Sequence, residues 1–149
     1  MLSLLPRSCM ALFLASVSVI GLANPMSPVG TWNTIDDETG KPKSLVRISE
    51  KDGAFFGTVE KIVDPTKQDA KCDECANDDF RKGKPVIGMT ILTGLKKEGE
   101  NVYGGGKILD PNNGKTYNAK VTVIEGGKKL EMRGSILFFG RTQTWIRVD

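Results

Sequence analysis

From residue 28 onward the apolar and polar positions alternate with a period of two. Tyr117, Ala119, Val121 and Val123 fall on one face, and Thr116, Asn118, Lys120 and Thr122 on the other, which is the pattern of a half-buried β-strand. Leu130 and Met132 alternate in the same way with Lys129, Glu131 and Arg133. No 11-residue window keeps apolar residues at helical spacing without a Gly, Pro or β-branched interruption. The pattern predicts strands over 29–35, 44–49, 54–63, 86–95, 101–109, 115–124, 128–133 and 141–148. In the fourth, Ile87, Met89 and Ile91 line one face, while the other (Val86, Gly88, Thr90, Leu92) is hardly polar.

Turn residues punctuate these runs. Asp36-Asp37-Glu38-Thr39-Gly40 ends the first, Lys51-Asp52-Gly53 is a hairpin signal, and Asp110-Pro111-Asn112-Asn113-Gly114 and Gly126-Gly127 reverse the chain later. Eight or nine short strands at 8 to 12-residue spacing are the rhythm of an all-β sandwich or an up-and-down barrel. Gly104-Gly105-Gly106 marks a place where a strand bends sharply, and bends of that kind help a sheet close on itself. The expectation is therefore a small antiparallel up-and-down β-barrel of about eight strands, with a β-sandwich as the alternative. Lys61-Ile62-Val63-Asp64-Pro65 is echoed by Lys107-Ile108-Leu109-Asp110-Pro111. Their flanks differ, so the echo reads as one strand-ending solution used twice rather than as a duplication.

The first 23 residues follow a different pattern. Arg7 is their only charge, an apolar run extends from Cys9 to Leu22, and Gly21-Leu22-Ala23 places small residues where a signal peptidase cuts. The run is shorter than the roughly 20 residues that span a bilayer. Residues 1–23 are thus predicted to be a signal peptide and 24–149 a single domain, exported to a bacterial periplasm or secreted, with no stable membrane span in the mature chain.

Composition narrows the chemistry. The chain has no histidine, which excludes Ser-His-Asp and Cys-His nucleophile systems and His-ligated zinc. A net charge of +3 and a pI near 8.8 fall short of the basic footprint of a nucleic-acid binder. No cofactor is indicated. Cys72 and Cys75 remain after signal removal, and an oxidising compartment favours a structural disulfide between them. A redox role would need the C-x-x-C to open a helix, and a metal site would need further Cys or His ligands that the expected mature chain does not have. Asp69, Asp73, Glu74, Asp78 and Asp79 surround the cysteines but lack a calcium-loop register and are interleaved with Lys71, Arg81 and Lys82. Asp36 and Asp37 are the compact carboxylate pair outside that loop, yet they sit in a turn where acids are common for conformational reasons. The chain is therefore expected not to be an enzyme, with a hydrolase using Asp36 and Asp37 as the minor reading.

Gly30-Thr31-Trp32 opens the first strand and Arg141-Thr142-Gln143-Thr144-Trp145-Ile146-Arg147 forms the last. In a barrel these strands become neighbours, so a late arginine can lie across the Trp32 indole. This arrangement resembles the lipocalin and wider calycin group, whose signature is G-x-W on the first strand plus an arginine near the end. Arg141 is the expected partner, with Arg147 as the alternative. Residues 28–148 also resemble a family of small exported bacterial proteins of unknown function (domain of unknown function twenty-one forty-seven). That resemblance rests on Gly30-Thr31-Trp32, Asp36-Asp37-Glu38-Thr39-Gly40-Lys41, Gly88-Met89, Gly94-Leu95-Lys96, Gly105 through Pro111, Gly114-Lys115-Thr116-Tyr117 and Gly140 through Trp145. It departs from the family near Val102, where an aromatic is usual and the aromatic here is Tyr103.

What the resemblance implies is a lipocalin-like barrel without established activity. The leading functional expectation is a non-enzymatic module holding a small apolar or amphipathic ligand in its interior. Its expected lining is Phe55, Val59, Ile87, Met89, Ile91, Tyr117, Ala119, Val121 and Met132, with Gly30, Trp32, Arg141 and Trp145 structural. The alternative is a filled barrel acting as an envelope structural or partner-binding protein, with Phe138-Phe139 as an exposed contact or as core.

Overall fold

Hairpins between consecutive strands account for seven of the eight strand pairings in this protein, whose computed structural model describes residues 24–149. The predicted signal peptide, residues 1–23, lies outside the described residues. The strands are β1 (Gly30–Ile35), β2 (Pro42–Lys51), β3 (Ala54–Ile62), β4 (Thr90–Lys97), β5 (Val102–Asp110), β6 (Lys115–Ile124), β7 (Lys129–Ile136) and β8 (Phe139–Arg147). Each pairs antiparallel with the next, and β8 returns to β1 to close the barrel. The barrel, rather than the sandwich, is the fold.

Local chemistry sets the register. Asp52 and Gly53 both take positive φ between the paired residues Lys51 and Ala54, the conformation a two-residue hairpin with the right twist requires. In β5 the pairing with β6 slips between Tyr103 and Gly106. A Cβ at Gly106 would sit 2.7 Å from the Thr93 carbonyl oxygen and against the Leu95 side chain. The glycine run thus lets β5 kink and press on β4, as a closing sheet needs. The two Asp-Pro copies end their strands alike: Asp64 Oδ1 accepts from the Thr66 N–H at 2.8 Å, and Asp110 Oδ1 from the Asn112 N–H at 2.9 Å.

Strand boundaries differ from expectation most clearly in two places. The fourth strand begins at Thr90 rather than residue 86, because Ile87 and Gly88 form a turn in which Gly88 has positive φ. The seventh and eighth strands run on to Ile136 and back from Phe139, joined by a two-residue turn at Leu137-Phe138. That turn contains no Gly, Asn, Asp or Pro, so the chain carried no local signal for it. Leu137 there takes a positive φ of 53°, a left-handed conformation that costs a non-glycine residue on the order of 1 kcal/mol.

Alternation places Trp32, Val46, Ile48, Phe55, Gly57, Val59, Leu92, Tyr103, Ala119, Val121, Val123, Leu130, Met132 and Trp145 toward the barrel axis. Trp32, Val46, Leu92, Leu95, Val121, Val123 and Leu130 have no surface left that even a water molecule can touch. Side chains therefore fill the barrel from its β1-entry end to its waist, at the close-packed density of a small domain.

Candidate functional site

The two ends of the barrel are built differently. One end, the floor, gathers the start of β1, the β2–β3, β4–β5 and β6–β7 turns and the end of β8. Here the Arg147 guanidinium lies 4.2 Å from the centre of the Trp32 ring. Its Nε donates to the Gly127 carbonyl at 2.5 Å, Nη1 to Val29 at 2.8 Å and Nη2 to Ser27 at 2.7 Å. Trp32 Nε1 donates to the Pro28 carbonyl at 2.8 Å. Burial pulls the Arg147 pKa down, and the nearby Asp149 carboxylate opposes the fall. Asp149 accepts the Thr31 N–H at 2.7 Å, and that bond holds its own pKa below the usual carboxylate value.

Arg147, and not Arg141, is therefore the cation over Trp32. The reason is register. Trp32 is directly opposite Arg147, while Arg141 lies six residues further along β8, at the other end of the barrel. Gly30 explains the small residue of the G-x-W: a Cβ there would meet Arg147 Nη1 at 2.5 Å, and its φ of 140° suits glycine. Tyr103 completes the floor. It is buried, packs edge-on against Phe55 with ring centres 4.9 Å apart, and donates its hydroxyl to the Met26 carbonyl at 3.2 Å.

The opposite end, the mouth, gathers the β1–β2, β5–β6 and β7–β8 turns and the long β3–β4 connection over 63–89. Cys72 and Cys75 are buried and disulfide-bonded in that connection. The loop is tied by Cys72 N–H to Lys84 O and Val86 N–H to Ala70 O, both 2.9 Å. It packs on the β5–β6 turn, where a side chain at Gly114 would collide with the Glu74 carbonyl. Asp79 is spent on Arg81, which donates from Nε at 2.9 Å and from Nη2 at 2.8 Å, and this pairing depresses the Asp79 pKa. Asp36 is committed too. Its Oδ1 accepts the N–H groups of Glu38 at 3.0 Å and Thr39 at 2.8 Å, and the Thr39 bonds lower its pKa. A carboxylate held ionised by turn amides is poorly suited to hold and deliver a proton near neutrality. Asp37 pairs instead with Arg141 Nη1 at 3.3 Å and Gln143 Nε2 at 3.0 Å.

The residues expected to line one cavity are divided among three places. Phe55, Val59, Ala119, Val121 and Met132 are buried on the inward face of their strands. Tyr117, half-buried on the inward face at the mouth, accepts from Asn113 Nδ2 at 3.0 Å. By the same alternation Ile108, Gly134, Gln143 and Arg141 share its layer, and a Cβ at Gly134 would touch Tyr117. Ile87 and the largely buried Met89 instead lie along an open groove with Phe80, Arg81, Lys84 and Thr90. Ile91 is opposite Leu109 on the outward face, since their neighbours Leu92 and Ile108 pair on the inward one. Met89 and Ile91 are buried all the same, in one hydrophobic cluster with Cys72, Cys75 and Val86.

Trp145 is buried like Trp32, yet its indole N–H has no acceptor among the described residues. At the mouth, Leu137, Phe138 and Phe139 are 86%, 98% and 80% exposed, and Ile136 is 39% exposed.

The family model described as "Uncharacterized protein conserved in bacteria (DUF2147)" matches residues 30–147. The chain belongs to this family. Among solved structures it is similar to "Protein HP1028 from the human pathogen Helicobacter pylori belongs to the lipocalin family", with 30% sequence identity and a TM-score of 0.71 over 81% of this chain and 82% of that one. Curated proteins give no match. The family and the lipocalin-like barrel expected from Gly30-Thr31-Trp32 and the late arginine are thus established, with the arginine reassigned.

Proposed function

We propose that this DUF2147 protein is an exported, non-enzymatic binding module that does its work at the mouth of the barrel rather than in its interior. One observation carries this reading. The inward residues from floor to waist are buried, with Trp32, Val46, Leu92, Val121, Val123 and Leu130 fully so, whereas Tyr117, Ile108 and Gln143 form a half-open layer above them. A small amphipathic molecule resting there would set its apolar part on Tyr117 and Ile108 and its polar head beside Arg141 and Gln143. Export is supported by the apolar N-terminal run and by the buried Cys72–Cys75 disulfide, which an oxidising compartment preserves.

The interior-ligand reading retains one specific support. The unpartnered Trp145 N–H is a buried donor whose desolvation costs about 1–3 kcal/mol, and a ligand acceptor would relieve that cost. Titration with a fluorescent long-chain carboxylate, followed by Trp emission and native mass spectrometry, separates the readings. On the mouth reading, Arg141→Gln weakens binding several-fold and Met132→Leu leaves it unchanged. Loss of binding on Met132→Leu with Arg141→Gln silent would move the site into the interior. No binding by the wild type would sink both.

A further inference from the structure

We propose that the β7–β8 hairpin tip, Ile136-Leu137-Phe138-Phe139, is a membrane-seating element that inserts its side chains into the interface of an anionic lipid bilayer. The proposal rests on the mouth being the working end and names the surface that end meets. The tip projects beyond its neighbours. The last residue of β7 paired with β6 is Ser135, and β8 pairs with β1 only from Trp145 to Arg147. From Ile136 to Phe139 the hairpin therefore has no flanking strand on either side.

Four consecutive apolar residues at the end of a projecting arm are costly in water and are not core in any sense. A turn-forming Gly or Asn would fit the backbone at position 137 better, yet the chain places Leu there at positive φ. Both the exposure and the residue choice point to selection for a surface rather than for the hairpin itself.

Charge identifies that surface. Between Met132 and Val148 the chain has no acidic residue, and of its three arginines there Arg133 and Arg141 stand at the tip end while Arg147 is at the floor. The acidic Asp36-Asp37-Glu38 turn shares the tip end, with Asp37 paired to Arg141. Arg133 and Arg141 flank the tip from the two strands, at the height where headgroup phosphates would lie when the aromatic rings reach the acyl boundary. Arg141 shares Asp37 with Gln143, but both partners of this ion pair are well exposed, so a lipid phosphate can replace the carboxylate. Two alternatives fit less well. A tip of four residues falls short of the roughly 1,000 Å² that a stable protein interface needs. A tip-to-tip dimer would also bring like-charged arginines together. A bilayer demands neither area nor shape complementarity, only apolar depth and cationic flanks.

The test is co-sedimentation of the purified protein with phosphatidylcholine vesicles containing phosphatidylglycerol, and with phosphatidylcholine alone. The expected result is partition to the anionic vesicles, weakened by added salt, and reduced at least about tenfold in Phe138→Ser/Phe139→Ser. Circular dichroism and melting should show that this variant folds as the wild type does. Phe138→Trp supplies a direct depth readout: the emission of the introduced indole should shift to the blue on vesicles and be quenched by brominated lipid. Equal partition of wild type and double variant, no partition at all, or an indole signal in Phe138→Trp that brominated lipid leaves unquenched would overturn the proposal. So would a dimer detected by light scattering that the double variant abolishes. Small-molecule binding at the mouth is read separately by the carboxylate titration, so either idea can fail without the other.

Discussion

The floor and the mouth of this barrel are made from the same eight strands and obey opposite rules. At the floor the polar groups are spent inward. Arg147 covers Trp32 and satisfies three carbonyls, Asp149 caps Thr31, and Tyr103 reaches Met26. At the mouth Arg141 and Asp37 form an exposed pair, Tyr117 is half open, and Phe138 stands in solvent. A cation held by an aromatic ring and fixed carbonyls stabilises, whereas a cation held by one solvated carboxylate remains available to exchange partners. Two arginines six residues apart on one strand thus differ in kind: Arg147 is locked into the floor, and Arg141 is the one the proposed function employs.

The most forceful way to break this comparison is at the floor. Trp32→Ala should cost about 3–5 kcal/mol by urea denaturation, since a fully buried indole leaves a cavity the packed core cannot close. Arg147→Ala should cost about 2–4 kcal/mol, losing the indole contact and leaving carbonyls short of donors. Arg141→Ala should cost under about 1 kcal/mol. Equal losses for the two arginines would erase the distinction between the ends.

At the mouth, Cys72→Ser/Cys75→Ser should destabilise by about 2 kcal/mol, because the bridge closes only a short loop. Limited proteolysis should then cut within 64–85, while a barrel opened globally would be cut in β-strands as well. For pH the sign follows from Asp149. Its folded pKa lies below the 3.8 of a free carboxyl, so its contribution is full above about pH 4 and is lost as pH falls through the folded value. The melting temperatures of wild type and Asp149→Asn should converge below that range. With no histidine in the chain, both should stay nearly flat between about pH 5.5 and 8. The smallest expected effect is again at the mouth. Leu137→Gly should raise stability by up to about 1 kcal/mol through relief of its positive φ.

Period-two patterning made the barrel legible because each half-buried strand must put its apolar residues on one side. It failed where both faces of a strand are apolar and where a turn does not announce itself in composition. In β4 it is Leu92, not Ile91, that points inward, and the Leu137-Phe138 reversal has no turn-forming residue to reveal it. The choice between Arg141 and Arg147 depended on the β1–β8 register, which joins residues at opposite ends of the chain and leaves no local trace in the sequence.

That closure has a kinetic consequence. Seven strand pairs are sequential neighbours, formed by short loops in all but the β3–β4 case, so most of the sheet can assemble from local contacts. The eighth must bring together segments more than a hundred residues apart, as the Thr31–Asp149 bond does across a separation of 118. It is only three pairs long, from Trp32 to Thr34 against Arg147 to Trp145. A short seam with a high loop-closure cost is formed late, and what fastens it acts mainly on the rate of reopening. The arginine over Trp32 is thus a clasp whose loss shows in how quickly the closed barrel unzips, more than in how quickly it forms.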